Sequence, residues 1–359
     1  MSEVHVSLGE RSYSIDIGSG NLGRLGEKIA KIAPQVSGVF VVSNQTVFDL
    51  YGATVLRSLN AAQLPRCSHF LIPDGEAHKS WETLYGILSA MLEAKLDRKA
   101  VLVALGGGVV GDIAGMAASL YQRGIDFVQV PTTLLAQVDS SVGGKVAVNH
   151  PLGKNMLGAF YQPRAVLIDT DTLRSLPARE VSAGLAEVAK YGLIGDLEFI
   201  AWLERNTEKL RALDSAALVH AVEVSCNAKA KIVAGDEREQ GNRAVLNFGH
   251  TFAHAIEAGL GYGAWLHGEA VGAGMIAATK LSRRYGSVSD ADVRRVQNLV
   301  GALGSPTHMP ALGARKYWDL MALDKKNESG KTTFILLEKL GQAKVAKGVP
   351  FKDVEALLP

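Results

Sequence analysis

Three histidines fall between positions 250 and 267 of this chain: His250, His254 and His267. The first two stand at i and i+4 in His250-Thr-Phe-Ala-His254, so a helix places them on one face. The pattern is close to the zinc-protease motif H-E-x-x-H, but Thr251 occupies the position of the glutamate that such an enzyme uses as its base. Proteolysis is therefore disfavoured. Two imidazoles and one carboxylate are a sufficient protein donor set for a catalytic metal with an open fourth position. The carboxylate candidates are Glu187, Glu257 and Glu269. Glu187 is favoured because it is set in the small-residue apolar stretch Gly184-Leu-Ala-Glu-Val-Ala-Lys-Tyr191, where an unpaired charge is costly. Lys190 follows at i+3 on the same side of that helix, so an internal Glu–Lys pair is the plainer alternative.

A second chemistry is suggested by Gly106-Gly-Gly-Val-Val-Gly111, which follows the apolar run Val101–Leu105. Strand, glycine turn and helix start together form the setting in which helix N-terminal amides hold a phosphate. An ordinary dinucleotide fingerprint adds an acid about 20 residues on. Here the next strand ends Val130-Pro-Thr132-Thr133, with hydroxyls and no carboxylate. An acidic loop comes earlier, in Pro73-Asp74-Gly75-Glu76-Ala-His-Lys79. Asp74 and Glu76 suit ribose hydroxyls and Lys79 a phosphate. A plain packing turn is the competing reading of the glycines.

Asp139-Ser-Ser-Val-Gly-Gly-Lys145 and Gly153-Lys154-Asn155 form another polar, glycine-bearing region, read either as a ligand loop or as a solvated one. Lys229, Lys231, Arg243, Asn247, Lys325 and Lys326, with Arg123, Lys145 and Lys190, suit a small polyanionic substrate. For any single lysine a solvated helix face is the simpler explanation.

These residues need elements to carry them. The 359 residues predict about two domains. Hydrophobic residues at 47% and charged residues at 21% allow a sizeable core and exclude a mostly disordered chain. A net charge of +2 and 6% aromatics give no reason to expect nucleic acid or an anionic membrane as partner. Cys67 and Cys226 lie far apart and outside any Cys-x-x-Cys spacing, which excludes a disulfide framework and points to a reducing, cytoplasmic setting. The start, Met-Ser-Glu-Val-His-Val, lacks the pattern of a secretory signal. The apolar stretch Val101–Tyr121 holds five glycines and Asp112, and reads as strand, turn and helix rather than as a membrane span.

Short apolar runs at Val39–Ser43, His69–Ile72, Val101–Leu105, Phe127–Val130 and Ala165–Ile168 alternate with helical patterns, which predicts a parallel sheet with helices on both faces. Val4–Leu8 and Tyr13–Ile17 predict a hairpin. Beyond Pro177 the patterns are helical until a late hairpin at Thr333–Leu337 and Ala343–Ala346. The expected organisation is an α/β, Rossmann-like domain over 1–178 and a mainly α-helical metal-binding domain over 179–359.

Several segments then resemble one family in order along nearly the whole chain. They are Pro-Asp-Gly-Glu at 73–76, Gly-Gly-Gly-Val-Val-Gly-Asp at 106–112 and Pro-Thr-Thr-Leu-Leu-Ala-Gln-Val-Asp-Ser-Ser-Val-Gly-Gly-Lys at 131–145. They continue with Gly-Lys-Asn-Met-Leu-Gly-Ala-Phe at 153–160, Ala-Glu-Val-Ala-Lys-Tyr-Gly at 186–192, Asn-Phe-Gly-His-Thr-Phe-Ala-His-Ala-Ile-Glu at 247–257 and His-Gly-Glu-Ala-Val at 267–271. The chain resembles the 3-dehydroquinate synthases of the sugar phosphate cyclase superfamily. That resemblance implies NAD, a divalent metal (Zn2+ or Co2+) and a homodimer. It implies conversion of 3-deoxy-D-arabino-heptulosonate 7-phosphate to 3-dehydroquinate and phosphate, a step of the shikimate pathway to aromatic amino acids. The family reaction is a transient NAD-dependent oxidation, β-elimination of phosphate, reduction and intramolecular aldol closure.

The resemblance also assigns positions. Glu187, His250 and His267 become the metal ligands. Asp74, Gly75, Glu76, Lys79, Gly107, Gly108, Val109, Asp112, Thr132, Thr133, Lys145, Lys154 and Thr172 fall on the cofactor side. Arg123, Asp139, Lys145, Asn155, Lys190, Lys229, Arg243, Asn247, His254 and a lysine of the 325/326 pair, taken as Lys325, fall on the substrate side. Arg123 matches a phosphate-binding residue that reaches across a dimer interface in the family. Competing readings are a cyclase that makes an inosose or valiolone, a metal-dependent polyol dehydrogenase with no need of a phosphate pocket, and a non-catalytic NAD-binding protein.

Overall fold

The computed structural model describes residues 2–261, 263–322 and 332–359. Contacts divide them into two compact units, residues 1–176 with 218–238, and residues 177–217 with 239–359. A single boundary at 178 does not describe this arrangement, because the chain returns to the first unit for 21 residues.

The first unit contains β1 (Ser2–Val6), β2 (Tyr13–Gly18), α1 (Leu25–Ile32), β3 (Val39–Asn44), α2 (Gln45–Ala61), β4 (Cys67–Ile72), α3 (Trp81–Glu93), β5 (Val101–Gly106), α4 (Gly108–Leu120), β6 (Asp126–Pro131), β7 (Lys145–His150), β8 (Gly153–Phe160) and β9 (Ala165–Asp169). A seven-stranded sheet runs β1-β2-β9-β6-β5-β3-β4. The β1–β2 pair is antiparallel and the other pairs are parallel. The strands read as continuous apolar runs because both faces are covered. Parity divides them. Phe40, Val42, Leu102 and Ala104 pack with α3, α4 and β7 residues such as Ile87, Ile113 and Val146. Val39, Val41, Val101 and Val103 pack with α1 and α2 residues such as Ile29, Val55 and Leu59. Each buried Val, Leu, Ile or Phe among them contributes about 1.5–3 kcal/mol relative to exposure.

Strand order reverses between β3, which continues to β4 on one side, and β5 on the other. In open α/β sheets ligands bind at the carboxyl ends of the strands flanking such a reversal. The glycine turn lies at the end of β5, beside that reversal, and the acidic loop follows β4.

The polar region 139–155 contains the unexpected element. It forms an antiparallel hairpin, β7 with β8, in which Lys145 faces Phe160 and Val148 faces Leu157. Val146 and Val148 are buried, whereas Leu152 is 90% exposed at the turn and most of β8 is half-buried or exposed. Without a clean inside–outside alternation, β8 carries little strand signal.

The second unit contains α5 (Ala178–Gly195), α6 (Leu197–Arg211) and the start of α7 (Ser215–Gly235), whose remainder belongs to the first unit. It continues with α8 (His250–Leu260), α9 (His267–Arg284), α10 (Asp290–Ala302), α11 (Ala314–Ala322), β10 (Thr333–Lys339), β11 (Gln342–Lys347) and α12 (Phe351–Glu355). The late hairpin forms as expected, with Leu337 opposite Ala343. Helix α9 packs against α5, α8 and α10.

The α5–α9 approach depends on Gly268. A methyl group there would overlap the backbone carbonyl of Ala183. Since α5 carries Glu187 and α9 begins at His267, spreading these helices moves two candidate ligands apart. Gly268→Ala is expected to destabilise the protein by about 1–3 kcal/mol and to weaken zinc binding. Thermal unfolding with and without zinc measures both, and unchanged midpoints in both would show that α9 shifts without cost.

Candidate functional site

In the second unit, Glu187, His250 and His267 converge, each offering a donor atom within 4.8 Å of the others. Glu187 Oε1 lies 3.6 Å from His250 Nε2 and 3.6 Å from His267 Nε2. Zinc–nitrogen and zinc–oxygen bonds of about 2.0–2.2 Å in a tetrahedron separate donors by roughly 3.3–3.6 Å. The observed spacings match that edge.

The surrounding groups orient these donors. His250 Nδ1 faces the Phe248 carbonyl at 3.2 Å, and His267 Nδ1 faces Glu257 Oε2 at 3.2 Å. Engaging Nδ1 in this way leaves Nε2 as the nitrogen that a metal could take. The other oxygen of Glu187 is ion-paired with Lys190. Glu187 is fully buried and Lys190 is 1% exposed. Burial would push the His267 imidazole down, but the Glu257 and Glu187 carboxylates outweigh it and hold it up at about 9. The pocket is thus built to stabilise positive charge. Its N and O donors fit zinc or cobalt.

The three carboxylates left open by sequence now separate. Glu187 is among the donors and Glu257 backs a histidine. Glu269 receives both Arg179 Nε at 2.6 Å and Arg179 Nη2 at 2.7 Å, and accepts from the Leu266 amide at 2.8 Å. It caps α9 and so fixes the helix end that presents His267. His254 stacks edge-on to His250 at 5.8 Å between ring centroids. Arg243 is 1% exposed in the 3-10 turn Asn242–Asn247, and Asn247 Nδ2 donates to Glu239 Oε1 at 2.8 Å. Glu239, in a left-handed conformation at φ 55, was not singled out from sequence. Lys325 and Lys326 lie outside the described residues.

In the first unit, the loop after β4 meets the start of α4 and the β7–β8 hairpin. Lys79 is buried, ion-paired with Asp112, and donates to Asn155 Oδ1 at 2.5 Å. Burial pushes the Asp112 carboxyl up against the pull of the Lys79 ammonium. Asn149 Nδ2 donates to Glu76 Oε1 at 2.8 Å, and the Asn155 amide donates to Asn149 Oδ1 at 2.9 Å. Lys154 Nζ lies 3.8 Å from Glu76 Oε1. Thr46 Oγ1 donates to Asp74 Oδ2 at 2.6 Å. Thr46 and Asn149 are organising residues missed in the sequence. Their signal is positional, at the carboxyl ends of β3 and β7.

Gly107 and Gly108 open α4, with Val109 half-buried behind them. A methyl on Gly107 would sit 3.0 Å from the Thr133 side chain, and one on Gly108 3.1 Å from Ser140 Oγ. Thr132 donates its amide to the Gly106 carbonyl at 3.0 Å. Gly75 holds a φ of 103 in the acidic loop. Packing also uses the motif, since a methyl on Gly111 would lie 2.7 Å from Gln129 Oε1. The packing reading of the turn therefore holds at Gly111.

Asp139 sits in a π-turn, Ala136–Ser140, and accepts from Lys229 Nζ through Oδ1 at 2.7 Å and through its carbonyl at 2.6 Å. This contact anchors residues 218–238 in the first unit. Such turns cluster at functional positions. Lys145 is exposed at the start of β7. Arg123 is exposed in a left-handed conformation at φ 71, next to Gln122 at φ 49. Thr172 is buried. Its hydroxyl donates to the Asp169 carbonyl at 2.7 Å and accepts from Gln137 Nε2 at 3.2 Å, so it holds the turn after β9.

Comparison with known proteins adds a decisive observation. Residues 69–183 match the family model for the 3-dehydroquinate synthase N-terminal region, and residues 184–327 match that for the C-terminal region. The chain is 57% identical to the 3-dehydroquinate synthase of Bordetella pertussis strain Tohama I, over 100% of this chain and 99% of that protein. The chain belongs to the 3-dehydroquinate synthase family. Among solved structures similar to this family member is a 2-deoxy-scyllo-inosose synthase complexed with carbaglucose-6-phosphate, NAD+ and Co2+. It has a TM-score of 0.89 and 25% identity, covering 99% of both chains. Another is the 2-epi-5-epi-valiolone synthase of Streptomyces hygroscopicus subsp. jinggangensis 5008 with NAD+ and Zn2+ bound. Its TM-score is 0.88 and its identity 28%, covering 98% of this chain and 97% of that one. The synthase architecture of an α/β unit with a parallel-rich sheet and a helical unit is thus common to cyclases of different products.

Proposed function

We propose that this chain is a 3-dehydroquinate synthase, converting 3-deoxy-D-arabino-heptulosonate 7-phosphate to 3-dehydroquinate and phosphate. The observation that carries the reading is the 57% identity along the full chain. The metal-compatible cluster of Glu187, His250 and His267 supports it. NAD, when bound, supplies the transient oxidation and its reversal, and a divalent metal supplies a Lewis acid for the substrate oxygen being oxidised.

The chain's own residues bind, orient and neutralise charge. On the first unit, the helix start at Gly107–Val109 and the acidic loop, from Asp74 through Lys79, are the NAD side. Thr132, Thr133 and Lys154 belong to the same side, and Asp112 fixes the Lys79 ammonium. Of the residues assigned to the phosphate group by the family pattern, Asn155 and Lys145 lie on the first unit, and Lys190 and His254 on the second. An oxygen of that phosphate takes the proton lost before elimination, so the protein need only keep it in place. Arg243 offers a buried, planar fork for the substrate carboxylate. The same pattern assigns Asp139 and Lys229 of the first unit and Asn247 of the second to the substrate hydroxyls, and Arg123 and Lys325 to its anionic groups. The same reading makes the protein a homodimer working in the cytoplasm. Among the described residues no helix is long and apolar enough to cross a membrane.

The test follows inorganic phosphate and NADH absorbance together in one cuvette containing protein, zinc, the heptulosonate phosphate and a small amount of NAD. Phosphate far in excess of NAD, with no lasting NADH, is the expected result. Accumulating NADH would identify a dehydrogenase instead, and silence in both channels would point to another sugar phosphate. Asp74→Ala is expected to weaken NAD binding about 10-fold with zinc affinity unchanged. Fluorescence titration of NAD measures this, and unaltered NAD affinity would remove Asp74 from the cofactor side.

A further inference from the structure

We propose that Glu257 is a positioning residue for the metal centre, holding the His267 imidazole so that Nε2 faces the metal. The inference rests on the reading of Glu187, His250 and His267 as ligands. Glu257 is 5% exposed, and its Oε2 lies 3.2 Å from His267 Nδ1. It occupies α8, the helix that also carries His250. His250, His254 and Glu257 stand at i, i+4 and i+7, one stripe of that helix. One rigid element therefore supplies a donor directly and orients the donor of another helix. His267 is the first residue of α9 and keeps 27% of its side chain exposed. Backbone packing fixes its ring less tightly than that of His250, whose side chain is 9% exposed. The carboxylate supplies the missing restraint. It selects the tautomer with hydrogen on Nδ1 and makes Nε2 a stronger donor.

Glu257→Ala and Glu257→Gln test this in the full-length protein, with zinc affinity measured by competition against a chromogenic chelator. The alanine variant is expected to bind zinc about 10- to 100-fold more weakly. The glutamine variant, whose amide oxygen still accepts from Nδ1, should fall between it and the unmodified chain. With cobalt in place of zinc, the visible band should change in shape in the alanine variant and recover in the glutamine variant. Thermal unfolding of the chelator-treated proteins separates positioning from packing. Equal zinc affinity in all three proteins would overturn the proposal. So would losses that track the fall in unfolding temperature, with an unaltered cobalt spectrum at saturation. If the unmodified chain bound no zinc, the ligand reading itself would fall, and the role of Glu257 with it.

Discussion

His250→Ala is expected to leave the purified protein without bound zinc after dialysis and to lower turnover by at least about a thousandfold. Three protein donors are the minimum set for a catalytic zinc site with an open position, and this change leaves two. A thousandfold loss corresponds to about 4 kcal/mol of transition-state stabilisation, within the several kcal/mol that a Lewis-acid metal contributes. NAD binding should be little changed, because its proposed residues lie on the first unit and His250 on the second. Metal content, turnover and an NAD titration on the same preparation test the idea. Stoichiometric zinc with normal turnover would sink the assignment. The corresponding control is chelation of the unmodified protein. Activity should disappear and return on adding zinc or cobalt, but not magnesium, whose preference for an oxygen-rich octahedral shell the two imidazoles do not meet.

Lys190→Met should show the second large effect, and its size should depend on metal. In chelator-treated protein the change removes the ammonium from a fully buried carboxylate, Glu187. Removing one partner of a buried pair costs about 3–5 kcal/mol. The lower end is expected, because the His267 ring nitrogen lies 3.6 Å from Glu187 and its raised pKa of about 9 keeps it charged at neutral pH. With zinc present, the cation compensates the carboxylate and most of the loss should vanish. Urea unfolding with and without zinc gives both values. An equal loss under both conditions would mean that Glu187 is a structural acid rather than a ligand. Turnover should fall even in the zinc-loaded variant, since Lys190 is also proposed to hold phosphate.

Part of this is legible in the sequence alone. The central strands stand out because burial on both faces makes Val39–Asn44 and Val101–Gly106 continuous apolar runs. Glu187 stands out because a charge in a small-residue helix needs a reason. The carboxylates were harder to separate. Glu187, Glu257 and Glu269 all lie near histidines in sequence or on an expected helix, and only side-chain direction shows that Glu257 meets Nδ1 while Glu269 caps α9. Spacing left three options, the small-residue apolar setting favoured Glu187, and the family resemblance implied the same residue. The β7–β8 hairpin was missed because its outer strand is half solvated and interrupted by Gly158, so neither period dominates. Helix α7 poses a different difficulty. Leu218, Val222, Cys226, Ala230 and Val233 are buried along it, so a periodic pattern can reveal its apolar face. Periodicity cannot name the partner of that face, and the contact of Lys229 with Asp139 is 90 residues away in sequence.

That return of the chain bears on any attempt to dissect the protein. Cutting at residue 178 would yield an amino-terminal fragment without residues 218–238, and so with no Lys229 for Asp139 and no Cys226 beside the Gln137 carbonyl. The carboxyl-terminal fragment would carry the apolar face of α7 with nothing of its own unit to cover it. The metal-binding part is therefore not a separable module in the gene. A usable split would have to follow the interleaved connectivity, for example by replacing 218–238 with a linker long enough to span the roughly 27 Å of helix it removes and grafting that helix onto the other fragment.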